Sequence, residues 1–590
     1  MSIQFTPTLQ TLQMNPNVAW SNSWFAVPNS QGTPLYAQAV FPVNTSGAGS
    51  EYVEFGKRNK SVVGNAKVSL SQNVYEADFE YSTQPLRWEI LTSSLYGTAS
   101  VQHMPGMGGV KMTILSGGDV TIRQSRPYHR YQPGKSMYMA TATNFGGPYG
   151  GQYQRVGFFD DANGMFFEQG APASTYNTSL STLGVTNIAS ISANASYLQG
   201  LNTSLSANNK AGMYVCWRSD INPYAITGVG TSAIYTDYKV SLDQWTDPSA
   251  IKNTIDWTKN QMLWLEYSWY GAGCLRWGIL LGGEPYILHE QTMGNLQQYA
   301  WARTGNLPVR YEQRDTTYSN TSAVFIHYGV SVIVEGQRDP QRGFTYAYGN
   351  DSTVTVSTNR KRVPLMSFRP RTMGTIEFNN NYSGGAITGA TTSSVTMNSP
   401  AWATNQWVNR AIYFPTLTSL ANPNGVNAKI LANTANTLTI ADVVTLSALS
   451  STYVPNAGTP YQIGLIDRGQ LLPQSLIITS NATALVELIA STPTNPIQLI
   501  GSSFQSLSAL GSSYSFAERD TTSTAISGGE VVYGFLSPGG SNVQELDLTN
   551  FFPLYNNIRG NTPDILTVAV TTTSQAVSAG VHVVCQEAMS

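Results

Sequence analysis

Charge is what this chain has least of. Of 590 residues, 32 are Lys or Arg and 34 are Asp or Glu, 11% together, against roughly 25% in an ordinary soluble domain. Its surface must therefore be wetted by Ser, Thr, Asn, Gln, Gly and Tyr. Disorder does not explain the shortage, because 41% hydrophobic and 11% aromatic residues supply enough apolar surface to offset the chain entropy of folding. A net charge of −2 with no run of Lys or Arg leaves no electrostatic footprint for nucleic acid or anionic lipid. Cysteine is scarce too. Cys216, Cys274 and Cys585 are too few for a disulfide framework, and their apolar, strand-like neighbours predict buried free thiols. No window approaches ~18 consecutive apolar residues, which excludes a membrane-spanning helix. Met1 to Trp20 lack the basic-then-apolar pattern of an export signal, so no signal peptide is expected.

The usual marks of catalysis are also missing. None of the five histidines, His103, His129, His289, His327 and His582, has the i, i+4 spacing or adjacent cysteine of a zinc site. No Gly-x-Ser-x-Gly elbow, phosphate loop or dinucleotide fingerprint stands in a strand–helix context. No cofactor, no metal and no enzymatic activity are expected.

What is present is period-2 alternation with turn signals along almost the whole chain. In Asn260 to Leu281, Leu263, Leu265, Tyr267 and Trp269 share one strand face, and Trp264, Glu266, Ser268 and Tyr270 the other. Gly271-Ala272-Gly273 gives the freedom a hairpin loop needs, and Leu275, Trp277, Ile279 and Leu281 alternate on the return strand. With Tyr270 opposite Cys274, Glu266 falls diagonal to Arg276 and the two form a cross-strand ion pair. A second hairpin runs from Arg155 to Phe159, turns through Asp160, Asp161, Ala162, Asn163 and Gly164, and returns to Glu168. Asn-Gly between aromatic runs is a strong hairpin signal.

These segments recur in a fixed order. Tyr131-Gln-Pro133-Gly134-Lys135-Ser136, the Gly157 to Gln169 hairpin and the Trp264 to Gly273 stretch are followed by Arg276, Gly278, Gly282-Gly283, His289 and Leu307-Pro308-Val309-Arg310-Tyr311-Glu312. Over roughly residues 110 to 345 the series resembles large structural proteins of tailed bacteriophages of the marine and cyanophage type. Family members often carry a motif of the type Asp-Ala-Phe-Gly-Arg-Leu-Arg-Val upstream. Here Asp78 to Glu89 departs from it. The segments around Thr391 to Val395, Ala401 to Ile412, Ile430 to Ile440 and Tyr461 to Gly464 resemble a small β-module found in phage fibres and baseplates.

The fold expected is all-β and multidomain, built of antiparallel β-sandwiches. Residues 1–75, divided by Pro7, Pro16, Pro28, Pro34 and Pro42, read as an extended arm lying on a neighbouring subunit. Residues 76–345 read as a central jelly-roll sandwich, similar to concanavalin-like domains. Residues 346–372 and 467–590 form a discontinuous C-terminal sandwich, with the small β-module inserted at 373–466, since chains tolerate insertion best at loop tips. Polar, uncharged strand edges need covering or pairing with another chain, so a symmetric homo-oligomer is expected.

Two functions follow. The resemblance implies a non-enzymatic virion component, a tail, baseplate or fibre-type appendage or a capsid decoration. Its partners are copies of itself and other virion proteins, and it is made in the host cytoplasm. The alternative is a glycan-directed protein, either a lectin-like receptor-binding protein or a depolymerase tailspike acting on host-surface glycan. Tyr128, Tyr131, Tyr149, Tyr153, Trp217 and Tyr224, with Tyr267 and Tyr270, lie in or beside loops, where such rings stack on sugars or on a protein partner. Depolymerisation needs paired carboxylates, for which Asp160, Asp161, Glu168 and Glu266 are the candidates. The plainer reading makes Asp160 and Asp161 turn caps and Glu266 the partner of Arg276. Asp160, Asp161 and Asn163 also offer oxygen ligands for calcium, but three ligands fall short of the six to eight it prefers.

Overall fold

The computed structural model describes residues 22–28, 34–40, 60–63, 71–93, 97–116, 118–146, 152–170, 212–221, 236–247, 250–296, 299–315, 322–336, 343–350, 352–380, 386–398, 400–415, 425–492, 494–507, 515–540, 543–549, 551–572 and 574–588. Among these there is no α-helix, and every strand pair is antiparallel. The protein is all-β, as its alternation predicts. In Ala323–Val334, for example, residues turn by two between the core and the outside through most of twelve positions, the period at which side chains change face along a strand.

The central sandwich has two sheets. One has seven strands in the spatial order Thr236–Ser241, Met213–Ser219, Gly164–Gln169, Gln152–Phe159, Val309–Asp315, Val120–Ser125 and Trp88–Ser93. The other has eight. Glu284–Thr292, Cys274–Leu281, Gln261–Tyr267, Met137–Asn144, Ala323–Val334, Gly109–Ile114 and Ser100–Met104 follow one another, and Gln72–Ala77 also pairs with Ala323–Val334. Phe158, Phe167, Trp217 and Tyr311 from the first sheet meet Leu265, Tyr267, Trp277 and Phe325 from the second in one buried core. Each such side chain contributes about 1.5–3 kcal/mol by leaving water. The Gln72–Ala77 strand straddles the expected arm boundary at residue 75, because its Tyr75 and Ala77 join this core.

The C-terminal region pairs two further sheets. Phe344–Gly349, Val577–Ala588, Gln470–Ser480 and Val543–Asp547 lie side by side in one, with Val354–Val356 also on Val577–Ala588. Gln505–Ser506, Ala517–Asp520, Val363–Pro370, Leu566–Thr571, Ala484–Ala490 and Glu530–Ser537 make the other. Val486, Val568, Val581 and Cys585 are buried between them. Residues between Met373 and Ile466 supply all seven strands of a separate sheet, with Trp402 packed edge-on against Trp407 at 6.2 Å.

The three parts touch. Leu91, Val120 and Ile122 on the outer face of the seven-stranded sheet pack against Val443, Val444 and Ile558. The Gln470 side chain donates to the Tyr128 carbonyl at 2.9 Å, and the Arg126 guanidinium pairs with Asp564.

Candidate functional site

The seven-stranded sheet turns Val156, Phe158, Met165, Phe167, Val215, Trp217, Val309 and Tyr311 into the core. Alternation therefore sends Arg155, Glu168, Arg218, Arg310 and Glu312 to its outer face. Register brings them together. Arg155 stands directly opposite Glu168 on one neighbouring strand and Glu312 on the other, and Arg218 stands opposite Asp237. The Arg155 Nε donates to Glu168 at 2.7 Å and its Nη1 to Glu312 at 3.0 Å. Lys239 reaches the other Glu168 oxygen at 2.6 Å. Arg218 grips Asp237 through two bonds of 2.7 and 3.0 Å. Arg310 holds Asp161 in the same two-pronged way at 2.7 and 3.0 Å, and Arg314 donates to Glu312 at 2.7 Å.

This band of five cations and four anions is largely buried, with Glu168, Arg310 and Glu312 at 0% exposure and Asp237 and Lys239 half-buried at its edge. Burial by itself pushes the Glu168 carboxyl up, but Lys239 and Arg155 overcome it and hold it below the ordinary carboxylate range. Glu312 is likewise driven up by burial and pulled far lower by Arg314, Arg155 and Arg310. Asp161 is lowered against its burial by Arg310 and Arg314. A general acid for glycoside cleavage needs a raised pKa. These carboxylates are held ionised.

The turn that carries Asp160 and Asp161 divides their roles. The Asp160 Oδ1 accepts from the backbone N–H of Ala162 and Asn163, both at 2.8 Å, which is the capping the sequence predicts. Asp161 does not cap. It points to Arg310, because that guanidinium lies across the strand end and offers a bidentate partner. Gly164 closes the turn at φ +139°, where a Cβ would sit 2.2 Å from the Phe158 carbonyl oxygen. Asn163 accepts from the Arg303 N–H at 2.8 Å, so Asp160, Asp161 and Asn163 face three different partners. Among the described residues no group of three His, Cys, Asp or Glu side chains is placed to hold a metal ion.

Glu266 and Arg276 are brought together, with a correction to the register. Tyr267 pairs with Leu275, so Glu266 stands directly opposite Arg276 and not diagonal to it. The wider loop, closed by Ser268 N–H to the Cys274 carbonyl at 3.0 Å, sets this alignment. The Glu266 contact is 3.7 Å, whereas Arg276 meets Glu290 at 2.7 Å. Arg276 also donates to the Lys60 carbonyl at 2.7 Å, fastening the end of the N-terminal region to this sheet.

The aromatic residues read as an exposed stacking surface are mostly interior. Tyr128, Tyr131, Trp217 and Tyr267 are buried. Trp217 and Tyr267 fall on inward positions of their strands, and Tyr128 donates through its hydroxyl to Asp160 at 3.2 Å. Tyr153 is half-buried beneath the Arg155 guanidinium, 4.1 Å from its ring centre. Tyr270 is 58% exposed. Tyr149 and Tyr224 lie outside the described residues. Loop position in sequence did not reveal that Tyr128 and Tyr131 lie beneath neighbouring chain.

Sequence reasoning missed a cavity of about 270 Å³ where the three parts meet, lined by Asp160, Asp220, Arg303, Arg371, Lys429 and Asp467 among others. Two ion pairs lie in its wall. Arg303 binds Asp220 at 3.0 Å and Arg371 binds Asp467 at 2.9 Å. Burial lowers Lys429 to about 8. The spacing of these residues over some 300 positions gives no local signal by which to find them.

No known protein family and no curated protein matches the chain. Solved structures with a similar course include an endo-1,3-beta-glucanase from Streptomyces sioyaensis, 11% identical, covering 45% of this chain and 97% of its own at a TM-score of 0.25. Lectin I-B4 from Griffonia simplicifolia is 12% identical over 44% of this chain and 99% of its own, at 0.21. A legume lectin-like domain from Entamoeba histolytica is 8% identical over 44% and 98%, at 0.22. At such values the likeness carries no argument about activity or ligand. The class of protein, an antiparallel β-sandwich assembly, stands on this chain's own sheets.

Proposed function

We propose that the chain is a non-enzymatic structural subunit of a tailed-bacteriophage particle, of tail, baseplate or fibre type, that assembles with copies of itself. One observation carries the non-enzymatic part. Charge is scarce in the sequence, and on the central sandwich part of it is spent inside, where Glu168, Glu312, Asp161 and Asp237 each lie in salt bridges with buried cations. Such an arrangement cross-links strands and holds these four carboxylates ionised. The particle assignment is supported by the ordered motif series between residues 110 and 345. A glycan-directed role would have to use residues other than the buried Tyr128, Tyr131 and Trp217.

Electron cryo-microscopy of intact particles tests the reading. The expected result is density for this chain in a symmetric ring or fibre, with an integral copy number. Particles with no density that fits it would overturn the assignment. Incubation of the purified chain with host-surface polysaccharide is expected to release no reducing sugar.

A further inference from the structure

The strand Glu530–Ser537 is the last of its six-stranded sheet, bonded on one side to Ala484–Ala490. Val543–Asp547, the next strand in the chain, ends the facing sheet. Edges of this kind are normally kept short or guarded by charge or proline. This one runs eight residues with its single charge at Glu530. Register places Tyr533 and Phe535 opposite Leu488 and Val486, on the face that enters the core, yet Tyr533 is 43% exposed. Leu536 at 66% and Val543 at 68% are more exposed still. Gly534 stands between the rings and leaves the backbone open to close approach.

At the other end of the chain, none of the first 50 residues is charged. Within them Asn22–Pro28 pairs with Pro34–Val40 in a two-stranded sheet that bonds to no other described strand. A lone hairpin is marginal in water and needs a third strand. Its seven-residue strands are one residue shorter than the open edge. The hairpin is tethered where Arg276 holds the Lys60 carbonyl. The 19 residues from 41 to 59 span up to about 65 Å when extended, far enough to reach a neighbouring molecule.

We propose that the hairpin of one copy adds as a further strand to the Glu530–Ser537 edge of a second copy, joining copies head to tail. The chain carries both an uncharged donor and an apolar acceptor that no other described strand pairs with, and matching them between copies fills both. Head-to-tail contacts of this kind generate rings when the rotation closes. The inference rests on the reading of the chain as an assembly subunit and names the contact that builds the assembly.

The test uses two full-length variants, Tyr533→Lys/Leu536→Lys in the edge and Phe25→Asp/Val27→Asp in the hairpin, with mass measured by sedimentation. The wild-type chain is expected to form oligomers, and each variant alone to be monomeric with an unchanged melting temperature. Mixed in equal amounts, the variants are expected to give a dimer of one copy of each, through the intact edge of one and the intact hairpin of the other. Oligomers of wild-type size from either variant alone would overturn this contact while leaving the structural role standing. A mixture that stays monomeric would overturn it as well, and so would a monomeric wild-type chain. The particle reading itself fails separately, on absence of density in the virion.

Discussion

Arg155 shows how a charge-poor protein uses the charges it keeps. Its guanidinium bridges Glu168 and Glu312 from a central strand, with side-chain exposure of 5%. Removing one member of a buried pair leaves its partner desolvated, at a cost of about 3–5 kcal/mol. Arg155→Met is therefore expected to destabilise the protein by about 3 kcal/mol, the lower end, because Lys239, Arg310 and Arg314 still serve the two carboxylates. Denaturant unfolding checks this, and a loss below 1 kcal/mol would show that the network is slack. The double variant Arg155→Met/Glu168→Gln is expected to lose less than the two single losses added together, since the pair shares one interaction. The sequence offered Glu168 as a candidate acid; it did not show that Lys239, some seventy residues on, would sit 2.6 Å away.

At the scale of elements, hairpins were legible and their exact alignment was less so. Gly164 opposite Phe159 follows from the Asn-Gly turn, because the turn and the strand it feeds are local. The Gln261–Tyr267 and Cys274–Leu281 pair was equally plain as a hairpin, but a loop of six residues leaves the register to packing. Here Gly278 faces Trp264 across the strands, and a Cβ on it would lie 2.1 Å from the indole ring. The ring lies over the glycine, with Ala140 and Ile287 around it. Gly278→Ala must displace the ring, and overpacking of this kind costs about 1–3 kcal/mol. A lowered melting temperature with altered tryptophan fluorescence is the expected outcome; unchanged emission would mean that the indole does not rest there.

For the whole molecule, the joint between the central and C-terminal parts holds a titratable group. The Glu89 carboxylate accepts from the Ile558 N–H at 2.9 Å, and burial, against the pull of Arg126, raises its pKa from 4.5 to about 7. A carboxyl raised in the folded state stabilises fully below its unfolded value, and that contribution is lost as pH climbs through the folded value. Between pH 4.5 and 7 Glu89 therefore works against the joint as it ionises. Glu89→Gln keeps an acceptor for Ile558 and cannot ionise. Its melting temperature relative to wild type is expected to rise from pH 5 to pH 8, by thermal denaturation at matched ionic strength. A flat difference would place Glu89 in contact with water.

The sequence by itself determined the all-β class, the positions of the main hairpins and the burial of Cys216, Cys274 and Cys585. Each of these is written locally, in alternation, turn residues or apolar neighbours. Tertiary structure alone decided where the charges of the buried band and the loop aromatics went. Arg155 meets Glu312 across 157 positions, and Tyr128 is covered in part by Arg468, whose guanidinium lies 5.2 Å from its ring centre. Side chains so far apart in the chain leave no periodicity to read, because their meeting depends on how sheets stack and on which part of the chain comes to rest over them.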